Sequence, residues 1–219
     1  MAPSLRTSIR ALLSTSDEQL MWRVQKQDDE HAFAQLVRRW QAAFQRVCVR
    51  MLGDEHLGSD LAQETFVRVF AKRKEYQPDA KFSTWAWRIA LNLCYDELRR
   101  RTRRNESSLD EPYGETMAIV ETFAAAGPAP DQALCNREQS DCVREALMQL
   151  PQIYRTVVIL RHYEDLKFRE IADLLGVPEG TVKSRTSEAL TQLGRLLRPG
   201  APKEPSTIKK LNRKESLIV

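Results

Sequence analysis

Few glycines, no long apolar run and no strong excess of one charge set the first limits on this chain of 219 residues. With only 8 Gly, it has little material for tight turns or phosphate-cradling loops, and no G-x-x-x-x-G-K-[ST] pattern occurs. The best apolar run, Val157-Val158-Ile159-Leu160, is far short of the ~20 residues of a membrane-spanning helix, so no membrane insertion is expected. No apolar stretch of signal-peptide length follows Met1, which argues against export and for a cytoplasmic protein. Histidine is scarce, and His31, His56 and His162 have no ligand spacing. Cys48, Cys94, Cys135 and Cys142 form no C-x-x-C pair. They are expected to be free thiols in a reducing compartment, with neither metal nor cofactor.

What is present is charge, unevenly placed. The net charge of +4 conceals a block at 68–104 with eleven Lys and Arg against four acids. A block at 105–141 follows, with eight acids against one Arg. Residues 142–197 are nearly balanced, and the tail 198–219 is basic. Clustered like charge points to a charged partner or a solvated tether.

Helical periodicity runs through most of the chain, which predicts an all-α protein of two small domains. Ser16-Asp-Glu-Gln19 is a capping-box pattern ahead of Leu20, Met21 and Val24. Asp28 or Asp29 starts a second helix whose apolar stripe runs from Ala32 to Met51, with Gly53 as its stop. Ser59 or Asp60 is expected to cap a third helix, and Ser83 or Thr84 to open a fourth after the break at Pro78. These give a four-helix bundle over 16–104, after an N-terminal extension at 1–15. Residues 105–130, acidic and carrying Pro112, Pro128 and Pro130, read as a flexible linker. Helices resume at Asp131 and continue to Leu197, and the Pro- and Lys-rich tail 198–219 is expected to be disordered.

Three constellations carry chemistry. Phe168–Leu193 reads as a helix-turn-helix: Ile171, Ala172, Leu175, Val177 and Val182 clamp two helices around a Gly176-Val-Pro turn. The second helix then offers Glu179, Lys183, Ser184, Arg185, Ser187 and Glu188 where a recognition helix meets base edges. Residues 66–104 interleave rings with basic side chains, a mixture suited to melted or single-stranded DNA, since exposed rings stack on unpaired bases. Phe66 and Phe70 lie on the apolar stripe and read as core. Trp85 and Trp87 cannot both face inward, so one of them is a candidate base-facing ring. Asn92 and Asp96, one turn apart, can offer hydrogen bonds to one extruded base. Asp60, Gln63 and Glu64 have no accompanying nucleophile, so capping or protein docking explains them better than acid–base chemistry.

The order Asp60-Leu-Ala-Gln-Glu-Thr-Phe-Val-Arg-Val-Phe, then Phe82-Ser-Thr-Trp-Ala-Trp-Arg-Ile-Ala-Leu-Asn, then Val177-Pro-Glu-Gly-Thr-Val-Lys-Ser-Arg resembles the extracytoplasmic-function group of bacterial RNA polymerase sigma factors. The resemblance covers about 17–104 and 131–197. It implies a sigma region 2 and a sigma region 4 that bind core RNA polymerase through the β′ clamp helices and the β flap, recognise −10 and −35 promoter DNA, and do no catalysis. It further implies that Asp60, Gln63 and Glu64 dock on the polymerase clamp. Phe82, Trp85, Arg88, Asn92, Asp96, Arg99 and Arg100 would melt and hold the −10 element, and Thr181, Lys183, Ser184, Arg185, Ser187 and Glu188 would read the −35 element. An anti-sigma factor is an implied partner, and the acidic linker would thread basic channels of the polymerase. The chain departs from the family at Glu188 and Leu190, where basic residues are usual. A free-standing helix-turn-helix regulator and a nuclease are the competing readings; the first would bind duplex DNA alone, the second would need a metal site.

Overall fold

The computed structural model describes residues 15–77, 81–108 and 141–198. The expectations for the N-terminal extension before Thr15, the break at Pro78, the linker from Leu109 onward, helix resumption at Asp131, Cys135 and the tail past Arg198 lie outside those residues. The described elements are α1 (Asp17–Gln27), α2 (Glu30–Leu52), α3 (Glu55–Ala71), a 3-10 turn (Arg73–Glu75), α4 (Phe82–Ser108), α5 (141–149), α6 (Gln152–His162), α7 (Phe168–Leu175) and α8 (Glu179–Leu196). No strand occurs among the described residues. No described helix is long and apolar enough to cross a membrane.

Local chemistry sets the helix ends. Ser16 Oγ accepts from the Gln19 amide and Gln19 Oε1 accepts from the Ser16 amide, each at 3.2 Å, which is the capping box expected from the sequence. Asp28 takes the left-handed conformation (φ 48°) that ends α1, and Asp29 Oδ1 accepts from the Ala32 amide at 3.0 Å to start α2. Gly53 (φ 72°) closes α2 with its amide donating to the Val49 carbonyl at 2.8 Å.

The start of α3 differs from expectation. Its N-cap is Asp54, whose Oδ1 accepts from the Leu57 amide at 3.0 Å, so the cap lies one residue after Gly53 rather than at Ser59 or Asp60. Gly58 then lies inside α3. It is required there, because a Cβ would fall 2.6 Å from Val49 Cγ2 and 2.7 Å from Val49 Cα. The close approach lets α2 and α3 pack backbone to backbone. The fourth helix also begins slightly early, at Phe82, and runs four residues past the basic block.

Helices α1 to α4 enclose a core that includes Leu20, Leu36, Phe44, Phe66, Tyr76, Phe82 and Trp87. Trp40 stacks on Phe44 with centroids 5.7 Å apart, Phe44 meets Trp87 edge-on at 4.9 Å, and the Trp40 indole donates to Asp17 Oδ2 at 2.9 Å. A second, smaller core joins α5, α6 and α8 through Leu147, Leu150, Val158, Ala189 and Leu193. The two groups of helices are packed together: Val157, Ile159, Leu160, Ile171, Leu174 and Val182 belong to the same apolar cluster as α1–α4.

Candidate nucleic-acid interface

Three surfaces carry the residues singled out from the sequence. On α4, Trp85, Arg88, Asn92, Asp96 and Arg99 recur at spacings of three and four, so they line one strip of the helix. Asn92, Asp96, Arg99 and Arg100 are exposed. Arg99 lies 3.7 Å from Asp96 and Arg100 lies 2.7 Å from Glu97, so acids on the same helix partly offset the basic charge. The tryptophans divide as helical geometry demands. Trp87 is 2% exposed, whereas Trp85 is half-buried at the surface, its ring 5.2 Å from Tyr76 and 6.3 Å from Phe82.

Phe82 is a correction. It is wholly buried, its ring packed against Trp40 and Tyr76. Its amide donates to Glu18 Oε1 at 3.2 Å, tying the start of α4 to α1. A ring so enclosed supports Trp85 from beneath and presents no face to DNA. The sequence pattern could not distinguish these roles, because Phe82 and Trp85 are one turn apart and share a side of the helix.

The helix-turn-helix of α7 and α8 is held by buried Ile171, Ala172, Leu174 and Val182, with Leu175 and Val177 packed at the edge. Gly176 (φ 66°) ends α7, and the Val177 amide donates to the Ala172 carbonyl at 3.2 Å. Val182, Thr186, Ala189 and Leu193 form the buried side of α8, which turns Lys183, Ser184, Ser187 and Glu188 to solvent and leaves Thr181 and Arg185 half-buried. Lys183 Nζ lies 2.7 Å from Glu179 Oε1. Glu188 Oε1 accepts from Gln192 Nε2 at 2.8 Å, and Ser184 Oγ donates to the Thr181 carbonyl at 3.0 Å. At the start of α7, the Lys167 amide and then the Lys81 ammonium hold the Glu170 carboxyl below the usual glutamate range.

The third surface is on α3. Asp60, Gln63 and Glu64 stand in the middle of that helix, not at its N-terminus, which removes capping and the helix dipole as explanations for them. Asp60 and Gln63 are exposed, and Glu64 pairs with Arg68 at 2.9 Å. The structure adds Val67, 61% exposed and on the same side as Gln63 and Glu64. A single exposed apolar residue is ordinary on a protein surface; its position beside Gln63 and Glu64 is what joins it to this patch. The sequence pattern does not single it out, because its exposure is decided by how α3 packs on α2 and α4.

The Sigma-70 region 2 family matches residues 36–104, and the family described as Sigma-70, region 4 matches residues 140–193. The chain is 33% identical over 173 residues to the ECF RNA polymerase sigma factor SigW of Bacillus subtilis (strain 168), covering 79% of this chain and 92% of that protein. The chain belongs to the ECF RNA polymerase sigma factors. This sigma factor is also 32% identical over 190 residues to the RNA polymerase sigma-H factor of Pseudomonas aeruginosa, covering 86% of this chain and 97% of that one. Its fold is shared with CnrH, solved in complex with the cytosolic domain of CnrY (TM-score 0.62, 23% identity, 84% of this chain and 97% of that chain). The sigma factor RpoE, solved in complex with the anti-sigma factor NepR from Bartonella quintana, has the same fold (TM-score 0.57, 24% identity, 75% and 96%). The sigma factor therefore acts in promoter recognition and transcription initiation by RNA polymerase, through a region 2 built on α2–α4 and a region 4 that contains the helix-turn-helix.

Proposed function

We propose that this sigma factor divides its work among three surfaces. The exposed mid-helix patch of α3, Asp60, Gln63 and Glu64 with Val67 at its edge, docks on core RNA polymerase. The strip of α4, Trp85, Arg88, Asn92, Asp96, Arg99 and Arg100, holds the melted −10 strand. The exposed side of α8, with Thr181, Lys183, Ser184, Arg185, Ser187 and Glu188, reads the −35 element in the major groove. What supports the assignment is that each set shares a single side of its helix while the opposite side is consumed by core packing.

The chemistry of each surface suits its task. A ring stacked on an unpaired base contributes ~1–3 kcal/mol, and Trp85 is the half-exposed ring beside a row of hydrogen-bonding and basic groups. Asn92 and Asp96 supply donors and acceptors within one turn for the edge of an extruded base. In the major groove Arg185 and Lys183 suit guanine and Glu188 suits the amino group of cytosine. Within this reading, residues 16–104 act as region 2 and 131–197 as region 4, the acidic 105–130 links them, and 1–15 and 198–219 are extensions. The chain works in the cytoplasm without catalysis, metal or cofactor, and an anti-sigma protein is a fitting regulator, since a sigma factor of the same fold has been solved with one.

Pull-down with core RNA polymerase tests the docking surface. Replacing Asp60 and Glu64 together by Ala is expected to weaken binding by roughly 10- to 100-fold, about 1–3 kcal/mol, with thermal stability unchanged because both side chains project away from the core. Equal affinity of variant and wild type would refute the docking assignment.

A further inference from the structure

Trp85 rests on two other rings. The Tyr76 ring lies 5.2 Å from it at an interplanar angle of 54°, and the Phe82 ring 6.3 Å from it at 53°. Tyr76 and Phe82 also meet each other edge-on at 6.3 Å. Both supporting rings are buried, so Trp85 is the one ring of the three that reaches the surface. Its direction therefore depends on where the backbone carries Tyr76 and Phe82.

Both of those backbone positions are held from α1, a helix outside the residues that the region 2 family matches. Gln25 Nε2 donates to the Tyr76 carbonyl at 2.9 Å and to the Lys74 carbonyl at 3.2 Å. A side-chain amide has two N–H groups, and both are spent here on the end of the 3-10 turn. Glu18 Oε1 accepts from the Phe82 amide at 3.2 Å. That amide opens α4 and has no acceptor within its own helix, and a carboxylate there also meets the positive end of the helix dipole. Glu18 and Gln25 are two turns apart on one side of α1, so they brace the ring platform at points roughly 10 Å apart.

A third tie joins the same two elements, Arg73 Nε to Asp28 Oδ1 at 2.8 Å. The Asp28 side chain is 65% exposed, and an ion pair so open to water contributes little. The directional bonds of Gln25 and Glu18 are what fix the platform. A binding group is only as well aimed as the residues that support it.

We propose that Gln25 and Glu18 are positioning residues for promoter opening: by holding the backbone of Tyr76 and Phe82, α1 aims the Trp85 ring at an unpaired base of the promoter strand. The proposal rests on the assignment of Trp85 to the −10 element. Neither residue touches DNA in this scheme; each acts through the ring it helps to hold.

The test uses the full-length chain with core RNA polymerase on a duplex promoter found by mapping transcript starts. Opening is read by permanganate reactivity of unpaired thymines, and Trp85→Ala sets the scale of what the ring contributes. Gln25→Glu keeps the length of the side chain but removes both N–H groups. It should lower opening about three- to tenfold, the range expected for lost hydrogen bonds. Glu18→Ala should do the same, and Glu18→Gln, which keeps an acceptor for the Phe82 amide, should recover most of that loss. Added to Trp85→Ala, Gln25→Glu should lower opening no further, since the ring it aims is gone. Polymerase affinity should be unchanged, because the docking patch lies on α3. Wild-type opening by Gln25→Glu and Glu18→Ala while Trp85→Ala is impaired would overturn the proposal alone. So would a further loss when Gln25→Glu is added to Trp85→Ala, or a loss of opening matched by an equal loss of polymerase binding. Wild-type opening by Trp85→Ala would instead overturn the −10 assignment of that ring. If circular dichroism shows that Gln25→Glu loses helix content, Gln25→Ala, which brings no charge to the two carbonyls, carries the same comparison with and without Trp85→Ala.

Discussion

Val67 and Trp85 are the single residues whose exposure matters most, because Val67 is an exposed apolar side chain and Trp85 packs on the core while staying half-buried at the surface. Val67→Asp is expected to weaken binding to core RNA polymerase with little change in stability, as it replaces a solvent-facing side chain; a fall in melting temperature with unchanged affinity would show that Val67 serves the fold instead. Trp85 and Phe82 make a matched pair. Phe82→Ala removes a fully buried ring and should cost about 3–5 kcal/mol of stability. Trp85→Ala should cost much less stability while reducing promoter opening, read by permanganate reactivity of unpaired thymines in the polymerase complex. Equal effects of the two substitutions on stability would contradict the division between packing and DNA contact. On α8, Lys183→Ala with Arg185→Ala should lower transcription from promoters with an intact −35 element and relax discrimination among −35 variants, each base contact being worth about 1–3 kcal/mol. The Glu188–Gln192 bond keeps the carboxylate on the exposed side of the helix, where Glu188 departs from the usual basic residue.

At the scale of elements, much of the fold was legible because its signals are local. The Ser16–Gln19 capping box, the stop at Gly53, the Gly176 turn and the apolar side of α8 each depend on residues within a few positions of one another, and each stands as the sequence implied. The start of α3 was misread because Asp54, Ser59 and Asp60 are all good caps, and the choice among them is made by tertiary contact. Gly58 must lie inside the helix for α3 to rest on Val49. Gly58→Ala should therefore force the two helices apart and cost about 1–3 kcal/mol, measurable by thermal unfolding, despite replacing Gly by a better helix former. Asp54 gives a test by acid. The Leu57 amide, and then Arg101 at 3.1 Å, hold its carboxyl below the ordinary value of 3.8. The folded chain thus takes up this proton at lower pH than the unfolded chain does. Its contribution is complete above about pH 4 to 5 and is lost as pH falls through the lowered folded value. Asp54→Asn keeps a capping side chain but should flatten this part of the stability–pH curve; an unchanged slope would refute the electrostatic share of the cap.

At the scale of the whole molecule, the charge blocks seen in the sequence acquire places without all acquiring partners. The basic block at 68–104 ends on α4, where Glu97 and Asp96 pair with Arg100, Arg101 and Arg99, so its field at the helix surface is weaker than the residue count suggests. What the sequence could not reveal is the packing of one lobe on the other. Arg46 and Glu164 are 118 residues apart, and no periodicity links them. Arg155 is one cation on an amphipathic helix in the sequence, and only the packed fold buries its guanidinium on three carbonyls. The residues of the three proposed contact surfaces come from local motifs and from the family resemblance, whereas their mutual arrangement depends on long-range contacts that no local pattern encodes.

The central claim, a sigma factor that gives RNA polymerase its promoter choice, is tested most directly by in vitro transcription. Purified chain and core RNA polymerase would be combined on a library of genomic fragments, with transcript starts mapped. The account predicts transcripts that require both components and start downstream of a shared pair of −35 and −10 sequences, with starts lost on Asp60→Ala/Glu64→Ala and redistributed on Lys183→Ala/Arg185→Ala. Starts identical with and without the chain, or specific binding of duplex DNA by the chain alone with no polymerase-dependent transcript, would contradict it.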